Sequence, residues 1–95
     1  MIEDNDKAAE ILRLQLDSAG FRVVRAVTAD SALELLAREK PDLVTLDILL
    51  PDMDGWEFLE RFKHHPQLAE VPVVIVSIVA DRNRGLSLGA AQVLQ

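Results

Sequence analysis

The sequence predicts an α/β fold, a doubly wound parallel sheet with helices on both faces, and three observations carry that expectation. Helix-like and strand-like stretches alternate along the chain. Two strands, Leu43 to Leu46 and Val73 to Ser77, are almost wholly apolar. Glycine, proline and capping residues punctuate the changes of pattern. Alternation of this kind is the mark of strand–helix crossovers, and short all-apolar strands are those buried on both faces of a parallel sheet. At 95 residues the chain is expected to form one domain over residues 1–95.

The elements follow in order. Ala8, Ile11, Leu12, Leu14, Leu16 and Ala19 recur at helical spacing, so Lys7 to Ala19 reads as an amphipathic helix capped by Asn5 or Asp6 and stopped by Gly20. Phe21 to Val27 reads as a strand with Val23, Val24 and Val27 buried. A second helix starts at Thr28 to Asp30 and runs to about Glu39, with Ala32, Leu33, Leu35 and Leu36 facing inward; Ser31 and Glu34 offer an alternative capping box. Pro51 to Gly55 is a turn-rich loop, and Asp54 with Glu57 caps a third helix to about His64. Asp81 to Leu88 reads as a short helix ended by Gly89, and Ala91 to Leu94 as one more strand.

Composition narrows the function classes. A net charge of -6 repels phosphate backbones, so no nucleic-acid binding is expected. There is no cysteine, hence no disulfide framework and no thiolate metal site; a cytoplasmic location fits. The longest apolar stretch, Val71 to Ala80, is interrupted by Pro72 and Ser77 and is far below the roughly 20 residues of a membrane span.

Right-handed crossovers bring the loops after parallel strands to one sheet edge, where ligands of such folds bind. Asp47 ends one strand there, and Glu3 and Asp4 stand where a strand before the first helix would end. Two like charges about 4 Å apart repel by about 4 kcal/mol at an effective dielectric of about 20. Three such anions call for a cation, and Mg²⁺ suits a site of one or two carboxylates plus water or phosphate oxygens. A carboxylate can also be the nucleophile toward phosphorus, in a reaction that needs mainly positioning and charge neutralisation. Ser77, at the end of the next strand, is placed to give its hydroxyl to a phosphoryl oxygen.

The runs IEDND, LVTLDILLPDMDGWEF and VPVVIVSIVAD resemble, in this order and spacing, those of two-component response-regulator receiver domains, and the likeness covers nearly the whole chain. It implies a flavodoxin-like sheet in the order 2-1-3-4-5. It makes Asp47 the phosphoacceptor, Ser77 the switch hydroxyl, and Glu3 and Asp4 the acidic pair, with Asp4 ahead of Glu3 as direct metal ligand. Leu49 falls where the family gives a backbone carbonyl to Mg²⁺. The implied partner is a sensor histidine kinase or phosphotransfer protein, and the implied output is a change of protein–protein contacts rather than enzymatic turnover.

The sequence departs from that family in three places. Only Met1 and Ile2 stand where the first strand should lie, and the family's lysine and last helix would come after Gln95. The fold is thus expected to be incomplete, with phosphorylation impaired and with strand exchange or a homodimer supplying missing parts. Val93 stands where many members carry a switch aromatic, which would weaken the usual coupling to Ser77.

Plainer readings stand beside these. Acidic residues before a helix favour its dipole, Asp52 and Asp54 read as turn and cap residues, and His64 and His65 read as ordinary helix-end residues. Trp56 reads as packing at its helix start, and Arg82 and Arg84 as a solvated face. The alternative function is a receiver-like module that takes no phosphate and acts only through contacts. An aspartyl phosphatase of the haloacid-dehalogenase kind needs a second Asp two residues after the first, where Leu49 stands, and no Ser/Thr-rich phosphate loop suggests a flavin.

Overall fold

A computed structural model describes residues 1–77 and 81–94. The part of the Val71–Asp81 run formed by residues 78–80, and Gln95, lie outside the described residues. Among the described residues the elements are, in chain order, α1 (Asp6–Ser18), α2 (Ala29–Arg38), β1 (Val44–Leu46), α3 (Gly55–His64), β2 (Val73–Val76), α4 (Arg82–Ser87) and β3 (Gln92–Leu94). The strands form one parallel sheet in the order β1-β2-β3.

Two further tracks extend this sheet beyond β1. Ile2 makes parallel bridges to Leu46 on one side and Ala26 on the other. Its amide donates to the Thr45 carbonyl at 2.8 Å, and the Ala26 and Glu3 amides lace the other side at 2.9 and 3.0 Å. In space the order is therefore residues 24–26, residues 1–3, β1, β2, β3, which is the 2-1-3-4-5 arrangement expected. The pairing of Ile2 with either neighbour is a single bridge rather than a ladder.

The second track brings a correction. Residues 21–27 do not form a ladder strand, and Val24 and Val27 are 40% and 45% exposed while Val23 is half-buried. Burial falls instead on Ala26, beside Ile2. Val24 lines a groove with Leu16, Phe21, Leu35 and Leu43 at the sheet end away from Asp47, and its carbonyl accepts from the Met1 amine at 3.0 Å.

The helix starts follow the capping residues. Asn5, Thr28, Asp54 and Asp81 each accept a first-turn amide and precede α1, α2, α3 and α4, satisfying donors that have no partner within the helix. Helix faces needed more correction. On α1 the stripe toward the protein is Ala9, Leu12 and Leu16, whereas Ile11 and Leu14 are about 60% exposed. On α2, Ala29 and Ala32 are buried and Leu33 is exposed. The core lies around β1, β2 and α3, where Leu46, Ile75, Phe58, Leu59 and Phe62 lose nearly all contact with solvent. All three β1 residues, Val44, Thr45 and Leu46, are buried, as befits a central strand of a parallel sheet. In β3 only Val93 is buried, the alternation of a strand with one face covered.

Candidate functional site

Three acidic side chains meet because two parallel tracks end side by side. The Asp47 amide donates to the Ile2 carbonyl at 3.0 Å, so the residue after β1 lies against the segment that delivers Glu3 and Asp4. One carboxylate oxygen from each of Glu3, Asp4 and Asp47 lies within 4.8 Å of the others. Glu3 is the buried member at 8% exposure, Asp47 is half-buried and Asp4 is exposed.

The electrostatics match that crowding. Burial pushes the Glu3 carboxyl up from 4.5 to about 7. The Asn5 amide, donating to Glu3 Oε2 at 3.2 Å, pulls the other way, and a hydrogen bond with Asp47 and the charges of Asp47 and Asp4 add to the rise. A cluster of hard oxygens that resists full ionisation is what a divalent cation relieves. The donor set fits Mg²⁺ on these grounds.

The loop after Asp47 is tightly folded. Asp47 Oδ1 accepts the Leu49 amide at 3.2 Å, and Leu49 bridges antiparallel to Asp54. Gly55 donates to the Ile48 carbonyl at 3.0 Å, and a Cβ there would stand 2.5 Å from the Ile48 Cα. Gly55→Ala is accordingly expected to cost about 1–3 kcal/mol, read as a lower denaturant midpoint.

Ser77 is buried and directly follows β2 at the same sheet edge, its amide donating to the Leu94 carbonyl at 3.1 Å. The three-carboxylate cluster itself contains Glu3, Asp4 and Asp47, and Ser77 stands two tracks beyond Glu3. His64 Nδ1 lies 2.7 Å from the Glu60 carbonyl and His65 Nδ1 accepts the Gln67 amide, so both rings serve the helix end. Trp56 is buried at the start of α3. Arg84 is exposed, as expected of a solvated face, and its guanidinium also lies 4.7 Å from the Trp56 ring centroid.

Sequence reasoning missed Arg25. Its Nε donates to the Glu3 carbonyl at 3.0 Å and its Nη1 pairs with Asp6 at 2.9 Å, while Nη2 is buried without a partner. The available signal was a basic residue between Val24 and Ala26, within an otherwise apolar stretch from Val23 to Val27. It braces the backbone that carries the acidic pair.

A family model described as the response regulator receiver domain matches residues 1–95. The chain belongs to this family. Among relatives of the receiver domain, the response regulator PleD of Caulobacter vibrioides is 30% identical over 97 residues, covering 99% of this chain and 21% of PleD. The transcriptional regulatory protein AfsQ1 of Streptomyces coelicolor is 36% identical over 81 residues, covering 85% of this chain and 35% of that protein. The receiver domain thus spans about a fifth to a third of these relatives. The receiver domain of a signal transduction histidine kinase from Syntrophus aciditrophicus superposes with a TM-score of 0.86 at 30% identity, over 98% of this chain and 73% of the other. Receiver domains are signalling modules of two-component systems, typically phosphorylated by histidine kinases, and they generally bind Mg²⁺ in an acidic pocket. Among the described residues no helix is long and apolar enough to cross a membrane.

Proposed function

We propose that this receiver domain accepts a phosphoryl group on Asp47 from the phosphohistidine of a kinase or phosphotransfer protein in the cytoplasm. The observation that carries the reading is the meeting of three carboxylates within 4.8 Å at the ends of neighbouring parallel tracks. Glu3, Asp4, Asp47 and the Leu49 carbonyl would hold Mg²⁺. Bound there, the ion supplies neutralisation of charge on the carboxylates and on the phosphoryl oxygens.

The protein's own groups do the rest. Leu49 N–H fixes one Asp47 oxygen and leaves the other to attack phosphorus. As the O–P bond forms, the P–N bond to the donor imidazole breaks, and the imidazole nitrogen keeps the electron pair and takes up a proton. The product is an acyl phosphate on Asp47. Ser77 donates its hydroxyl to a phosphoryl oxygen, and the new dianion shifts the population of the surrounding loops and with it the contacts the domain makes.

Acetyl phosphate with Mg²⁺ tests the reading. Intact-mass spectrometry is expected to show one added phosphoryl group, labile in alkali as acyl phosphates are. A chain that binds Mg²⁺ yet gains no mass would be the contact-only module instead.

A further inference from the structure

Asp52 lies in the loop after Asp47, yet its carboxylate is used elsewhere. Oδ1 accepts the Ala29 amide at 2.9 Å and Oδ2 accepts the Asp30 amide at 3.0 Å, a two-pronged contact with the first turn of α2. Those two amides hold the Asp52 carboxyl below its ordinary range. The helix does not depend on this contact for its start, because Thr28 Oγ1 already accepts the Ser31 amide at 3.1 Å. Among the described residues, every other hydrogen bond of residues 48–54 stays within residues 47–58. Asp52 is thus the tether between this loop and another element.

The tether closes a circuit. Met1 to Glu3 pair with Ala26, which lies three residues before Ala29. Ala29 and Asp30 hold Asp52, and the loop from Asp52 leads back through Leu49 to Asp47, whose amide returns to Ile2. We propose that Asp52 is a positioning residue, clamping the loop to α2 so that the Leu49 carbonyl and Asp47 keep their places relative to Glu3 and Asp4. This rests on the metal site proposed above.

Mg²⁺ alone is the probe, titrated into the full chain well below its melting temperature with Trp56 fluorescence as readout. Asp52→Ala is expected to weaken Mg²⁺ about tenfold, the scale on which outer-sphere groups act on metal sites, although no proposed ligand has changed. Thr28→Ala, which removes the helix's own cap, should lower the melting temperature and leave Mg²⁺ affinity unchanged. If Asp52→Ala does not fold, Asp52→Asn carries the same comparison with a smaller loss, since it retains one acceptor oxygen. Should the parent bind Mg²⁺ and the folded Asp52 variant bind it equally tightly, the clamp is overturned and the metal site stands. A parent indifferent to Mg²⁺ overturns both.

Discussion

A chain carrying Asp47→Asn is expected to take up no phosphoryl group and yet, without metal at pH 8, to be more stable than its parent by about 1–2 kcal/mol. The two effects share one cause. Asp47 stands within 4.8 Å of the carboxylates of Glu3 and Asp4, so like charges crowd one another there. Asparagine keeps the shape, and its side-chain oxygen can still accept the Leu49 amide that Asp47 accepts now. It removes one charge from the cluster and with it the nucleophile. Mass spectrometry reads the first effect and urea titration the second. A less stable Asp47→Asn chain at pH 8 would show that repulsion in the cluster is negligible.

Glu3 gives the second large expectation, a dependence of stability on pH. Its carboxyl titrates near 7 in the folded protein, against 4.5 for the ordinary side chain, so the folded state holds the proton more tightly. The resulting stabilisation is complete below pH about 4.5, falls as pH rises toward about 7 and is gone above it. Asp4 opens the site to solvent, and screening there reduces the effect to about 1–2 kcal/mol. Glu3→Gln, which retains an acceptor for the Asn5 amide, should flatten that part of the metal-free profile and exceed the parent at pH 8. An unaltered slope between about pH 4.5 and about pH 7 would contradict it.

Much of this was legible from residues alone, and the physical reason is locality. A cap and its amide are two or three positions apart, so Asn5, Thr28, Asp54 and Asp81 announce their helices. The acidic trio was legible because parallel strands deliver their ends to one edge. What was hidden depends on distant partners. The bond from Asp52 to Ala29 spans 23 positions, and nothing in the spacing of a turn reveals it. The stacking of Arg84 on Trp56 joins two helices in the same way. Composition assigned Val24 and Val27 to the interior because valines favour buried strands, whereas burial falls on Ala26, the residue that pairs with Ile2. For α1, periodicity identified an apolar side but not which part of it meets the sheet, so Ile11 and Leu14 remain in solvent.

Calorimetric titration of Mg²⁺ near pH 7, in two buffers of different ionisation enthalpy, reaches the centre of the account. If the carboxylates form one metal site, binding expels the proton shared within it. The parent should then release about half a proton per ion bound, and Glu3→Gln should release none. Mg²⁺ that binds without releasing protons, or binds Asp47→Ala as tightly as the parent, would contradict a site built from these three side chains.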